Sequence, residues 1–105
     1  MDIKYEVILT NQAENELNNI YNYISKTLIA EKAANNLMEK IENTFLILED
    51  MPKAFRVIKK YKHIHFEYRK TVINNYIIVY RIEKDGKTVY IDRIIYGKRN
   101  YFSEI

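Results

Sequence analysis

The sequence predicts an α+β domain of order β-α-α-β-β-β: an antiparallel sheet with a helical hairpin packed on one face. Three observations carry this. Apolar residues recur every three or four positions across the first half, they alternate across the second, and turn-forming pairs separate the alternating runs.

The elements follow in order. "IKYEVIL" (3–9) is β-branched and aromatic and reads as a first strand. Thr10 is placed to cap a helix whose apolar face is Ala13, Leu17, Ile20, Ile24 and Leu28. A second helix runs from about Ala30 to Glu49 on the stripe Ala30, Ala33, Leu37, Ile41, Phe45 and Leu48, stopped by Pro52. The break near Thr27–Ala30 has neither Gly nor Pro, and so short a connection makes the helices antiparallel neighbours. "HIHFEYRK" (63–70) alternates, with Ile64, Phe66 and Tyr68 assigned to the core and His65, Glu67 and Arg69 to the other side. "YIIVYRIE" (76–83) and "TVYIDRIIY" (88–96) form a hairpin through Asp85-Gly86, preceded by a turn at Asn74-Asn75. If Asp85 and Gly86 are the loop, Ile82 faces Val89, Tyr80 faces Ile91 and Tyr76 faces Ile95. The opposite side then carries Arg81 with Tyr90, Val79 with Asp92 and Ile77 with Ile94. Arg93 falls opposite Ile78, near the core side, which demands either a bulge or a reach to the sheet's edge.

At 105 residues the chain suits one domain, with 48% hydrophobic and 30% charged residues. It has no cysteine, so disulfides and thiolate metal sites are excluded. Neither a basic leader with an apolar run nor a stretch of about 20 apolar residues is present, and a soluble intracellular protein without membrane association is expected. The net charge of +3 is unevenly distributed. Residues 1–52 hold 4 Lys/Arg against 9 Asp/Glu, and residues 53–105 hold 13 against 5. No acid lies between Asp50 and Glu67, where Lys53, Arg56, Lys59, Lys60 and Lys62 cluster. Such a surface suits phosphate or an acidic protein segment, although the run also reads as a plain solvated loop.

Several chemistries are open to the basic half. RNA cleavage needs a base for the 2′-hydroxyl, cations for the phosphate and an acid for the leaving oxygen. Glu67 or His65 suits the base, Arg69, Arg81 and Arg99 the phosphate, and His63, His65 or Tyr101 the acid. The purely structural alternative is that Glu67 forms cross-strand ion pairs with Arg69 or Arg81. His63, His65 and Glu67 alternate and so share a strand face, but no cysteine or further histidine supports a metal there, and neither metal nor cofactor is expected. Tyr76 and Tyr80 suit the core, whereas Tyr90, Tyr96 and Tyr101, with Arg93 and Lys98, suit contact with a partner.

The run "NYIIVYRIEKDGKTVYIDRIIYGKRNY" resembles the C-terminal sheet of RelE/ParE superfamily toxins, the growth-arresting halves of bacterial type II toxin–antitoxin pairs. "NQAENELNNIYNYIS" and "LEDMPKAFRVI" are similar to the ParE-like branch, so the resemblance spans nearly the whole chain. It implies a cytoplasmic toxin, of the kind associated with plasmid stabilisation, neutralised by a cognate antitoxin. RelE members cleave mRNA on the ribosome as mRNA interferases, whereas ParE members inhibit DNA gyrase. Against the RelE nuclease pattern, Ile77 stands where an arginine follows the tyrosine, Arg99 is kept, and Ile105 stands where a later tyrosine is found, with Tyr101 closer in. Of the basic second-strand positions, which fall near His65, Glu67 and Arg69, only Arg69 keeps the charge. Tyr96-Gly97 stands where ParE members commonly have His-Gly. A ParE-like gyrase inhibitor is the leading expectation; a ribosome-dependent endonuclease, or an inactive basic binding module, is the alternative.

Overall fold

The computed structural model describes residues 4–62, 64–83 and 86–97, together with the side chains of these residues other than 59–62. Strand β1 (Glu6–Leu9) leads into α1 (Asn11–Asn22), a π-helical turn (Tyr23–Thr27) and α2 (Glu31–Asp50). Four strands follow: β2 (Arg56–Lys62), β3 (Phe66–Ile73), β4 (Tyr76–Glu83) and β5 (Thr88–Tyr96). They form one sheet in the order β1-β5-β4-β3-β2. The α+β class and the succession of helices and strands are as the sequence predicts, with two differences. Strand β1 runs parallel to β5, so the sheet is mixed. The basic run expected as loop contains a fifth strand, β2, paired antiparallel to β3 at the sheet's edge.

Thr10 caps α1 as its residue type demands: its hydroxyl accepts from the Ala13 amide at 3.2 Å and donates to the Asp92 carbonyl at 3.2 Å. One side chain thereby ends β1, begins α1 and attaches both to β5. The α1 stripe packs as expected through Ala13, Leu17, Ile20 and Ile24, but Leu28 is 54% exposed. The π turn explains the departure. The Leu28 amide bonds five residues back to the Tyr23 carbonyl, and the extra residue rotates Leu28 off the buried face. On α2 the buried positions are Ala34, Leu37, Ile41, Thr44 and Leu48, so Ala34 rather than Ala33 faces the core.

The helices cover one face of the sheet, against Ile78, Tyr80, Ile82, Val89, Ile91 and Ile94. A second apolar cluster, Ile58, Val79 and Ile95 with Tyr68 and Ile77, lies on the other face. Because both faces are apolar, alternation alone does not say which side of β3 turns inward. The Asn74–Asn75 turn decides it: Asn74 takes φ 55 and Ile73 pairs with Tyr76. Paired residues share a face. Glu67, Arg69 and Thr71, opposite Ile82, Tyr80 and Ile78, therefore turn toward the helices, while Phe66 and Tyr68, opposite Glu83 and Arg81, turn away. The sequence-based assignment of these residues is thus reversed. Ile64, assigned to the core, is 79% exposed and precedes β3 with His65 in a bend.

In the β4–β5 hairpin, Ile82↔Val89, Arg81↔Tyr90 and Tyr80↔Ile91 pair as expected. The connecting loop includes Asp85, outside the described residues. Beyond Ile91 the register slips by one. Val79 faces Arg93, Ile78 faces Ile94, Ile77 faces Ile95 and Tyr76 faces Tyr96, leaving Asp92 as the bulged residue. The bulge moves Ile95 to the face away from the helices and sets Ile94 in the core in its place.

Candidate interaction surface

Arg81 is the centre of a cluster on the sheet face away from the helices. Register brings Phe66 of β3 and Tyr90 of β5 to either side of it, and its guanidinium carbon lies 4.7 Å from the Phe66 ring centroid and 4.4 Å from that of Tyr90. Arginine stacks on aromatic faces because its planar, weakly hydrated cation meets the negative ring face. The bulge turns Asp92 to the same place, where Oδ1 accepts from Arg81 Nε at 3.0 Å. Burial pushes the Asp92 carboxyl above its ordinary 3.8, opposed by the hydrogen bond and charge of Arg81.

Between 3.8 and its raised pKa, Asp92 holds more protons folded than unfolded, so its contribution to stability falls as pH rises through that window. Asp92→Asn is expected to flatten stability against pH in the mildly acidic range. Urea midpoints across about pH 4 to 7 measure this; an unchanged slope would place the titration elsewhere.

Glu67 and Arg69 serve a different end. Arg69 Nε donates to Glu67 Oε2 at 2.5 Å, and Nη1 donates to the Phe55 carbonyl at 2.5 Å and the Lys53 carbonyl at 3.2 Å. The pair lies on the helix side, fastening the segment between α2 and β2. Tyr80 joins it there, its hydroxyl donating to the Pro52 carbonyl at 2.9 Å. The sheet separates this group from Arg81, and the expected convergence of Glu67, Arg69 and Arg81 on one phosphate is absent. The expected cross-strand ion pair takes another form: Glu67 pairs within its own strand, and Arg81 pairs across strands with Asp92.

Arg93 resolves both ways at once. The strand bulges beside it, and its guanidinium also reaches Glu16 Oε2 of α1, at 2.9 Å from Nε and 2.8 Å from Nη2. The other oxygen, Glu16 Oε1, accepts from the Ile94 amide at 2.8 Å, just past the end of β1. A carboxylate thus satisfies the strand edge where β1 stops. Tyr96 lies at the far end of β5, its ring 5.7 Å from that of Tyr76 at 64°. The Tyr76 phenol is raised by burial, then by Tyr96 and Tyr23. Gly97 follows because its amide donates to the Asn75 carbonyl at 2.5 Å, and a Cβ there would sit 2.9 Å from that oxygen.

His65 is exposed in the bend before β3. Lys59, Lys60 and Lys62 lie along β2, on the sheet's outer edge. His63, Lys98, Arg99 and Tyr101 lie outside the described residues. Among the described residues no three His, Cys, Asp or Glu side chains gather to hold a metal ion, and no helix is long and apolar enough to cross a membrane. Sequence reasoning missed Phe66 and Asp92 as partners of Arg81, and Glu16 altogether; Glu16 and Arg93 are 77 residues apart, with no local signal linking them.

The family model described as "ParE toxin of type II toxin-antitoxin system, parDE" matches residues 7–101. No curated protein matches the sequence. Among solved structures, the chain is similar to one from the chromosomal ParDE system of P. aeruginosa, with TM-score 0.68 and 19% identity over 90% of this chain and 98% of that one. It is also similar to one from the archaeal RelE–RelB complex of Pyrococcus horikoshii OT3, with TM-score 0.66 and 18% identity over 91% and 98%. A third, from the RelBE2 toxin–antitoxin complex of Mycobacterium tuberculosis, gives TM-score 0.55 and 18% identity over 90% and 92%. At these identities the likeness is one of fold.

Proposed function

We propose that this chain, which belongs to the ParE family of type II toxins, arrests growth by inhibiting DNA gyrase through protein contacts and without hydrolysis. The observation that carries the reading is the division of the candidate nuclease set. Glu67 and Arg69 are engaged with each other and with backbone carbonyls on the helix side, and Arg81 is stacked and ion-paired on the opposite face. A base and its phosphate-binding cations act on one substrate only when they converge on it.

The whole chain acts as a single toxin domain in the cytoplasm, and a cognate antitoxin holds it inactive. The similar ParDE and RelE–RelB structures come from toxin–antitoxin systems, which supports such a partner. Strand β2 suits an acidic antitoxin segment. It lies at the edge of the sheet with its sequence, "RVIKKYK", rich in cations.

Inducible expression without any partner, followed by pulses of labelled thymidine and labelled methionine, tests this. Thymidine incorporation is expected to fall first, with cleaved DNA and an SOS response. An earlier fall in methionine incorporation, with mRNAs cut inside codons, would replace gyrase with the ribosome. Normal growth with confirmed soluble protein would leave a binding module.

A further inference from the structure

Ile29, at the tip of the helical hairpin, is a β-branched residue in a left-handed conformation, with φ 50. Such a conformation is uncommon for any residue but glycine and an outlier for isoleucine. The hydrogen bonds define its place. The Ala30 amide reaches back to the Ile24 carbonyl at 3.0 Å and the Leu28 amide to the Tyr23 carbonyl at 3.0 Å, so Ile29 stands just past the helix end. That is the position where a chain turning out of a helix ordinarily carries glycine. The closure is one residue wider than usual because the last turn is π-helical.

Burial does not repay this strain. Ile29 is 87% exposed and Leu28 beside it 54%. Strain held at a site with no compensating burial points to a role outside the fold.

We propose that Leu28 and Ile29 form a preformed apolar knob that enters a pocket on the folded protein this toxin targets; the inference rests on the reading that growth arrest proceeds through protein contacts. The shape selects the occupant. An apolar side chain standing out at a turn between two helices needs a concave apolar partner, and a pocket belongs to a folded surface. An extended antitoxin segment supplies side chains to grooves and does not itself form a pocket. Nucleic acid is disfavoured, because the two side chains at the apex are aliphatic, and neither pairs with a phosphate nor stacks on a base. Exposed Lys26, Glu31 and Lys32 flank the tip with one positive charge in excess, so the pocket is expected to have a polar rim of net negative charge. A short rigid apolar anchor surrounded by polar residues is the form interface hot spots commonly take.

The decisive variants are Ile29→Gly and Ile29→Asn, both suited to the left-handed position. Each is expressed from an inducible promoter at matched protein level and purified for urea unfolding, with Leu46→Gln, an exposed apolar residue of α2, as control. Ile29→Gly is expected to unfold at an equal or higher urea concentration than the wild type, yet to need at least about tenfold more inducer to halve the growth rate. Leu46→Gln should match the wild type in growth arrest. Undiminished arrest by Ile29→Gly overturns the proposal, as does a lowered unfolding midpoint in both Ile29 variants, which would remove the strain argument. Wild-type arrest with DNA synthesis intact, lost on Ile29→Gly, would retire gyrase as the target and keep the knob. Absence of arrest by the wild type would overturn the knob and the toxin reading together.

Discussion

Tyr80→Ala is expected to destabilise the fold by about 3–5 kcal/mol, enough to unfold much of the population of a domain of ordinary stability. Tyr80 is fully buried in the helix-facing core. Its ring meets Phe55 edge-on at 6.5 Å, and its hydroxyl binds the Pro52 carbonyl where the chain leaves α2 for the sheet. Truncation opens a large cavity and leaves that carbonyl without its partner. Tyr80→Phe separates the two effects. It keeps the ring and removes the hydrogen bond, and should cost about 1–2 kcal/mol. Burial pushes the Tyr80 phenol up to about 12, against the lowering effects of Arg69 and Phe55. The folded state therefore binds this proton more tightly than the unfolded state, and the corresponding stability falls as pH rises from about 10 through about 12. Tyr80→Phe should lack that alkaline loss. Urea unfolding at neutral and alkaline pH measures all three quantities; a Tyr80→Ala protein within about 1 kcal/mol of the wild type would show that the core is not organised around this ring.

Arg69→Ala is expected to cost about 2–4 kcal/mol. It removes an internal fastener: Glu67 loses its charge partner in a partly buried place, and the Phe55 and Lys53 carbonyls lose a donor. Arg69→Lys should recover little, because one ammonium cannot reach a carboxylate and two carbonyls in the directions a planar guanidinium spans. Growth arrest by Arg69→Ala should decline only in proportion to folded protein. A stable, fully folded Arg69→Ala protein that no longer arrests growth would instead make this arginine part of the working surface and return RNA cleavage to first place.

Much of the architecture was legible locally. The Thr10 cap, the α1 stripe up to Ile24, the Pro52 stop and the Asn74–Asn75 turn each act over a few residues, so sequence spacing predicts them. The family was legible too, in the strand motifs of the second half, and the match over residues 7–101 agrees.

The arrangement of the candidate site was decided only in three dimensions, for three physical reasons. Both faces of the sheet are apolar, so the alternation in β3 fits either orientation, and the turn and register chose the one that turns Glu67 and Arg69 to the helix side. The single extra residue Asp92 shifts everything after Ile91, placing a carboxylate against Arg81 and Ile94 in the core. Glu16 meets Arg93 across 77 residues, which no local pattern records. The amino-acid sequence by itself determined the first strand, the two helices, the last three strands and the basic second half, but neither strand β2 nor the π-helical turn. Tertiary packing determined which cations remain at the surface and which hold the fold together, because that choice depends on the side of the sheet, and the side is a property of register.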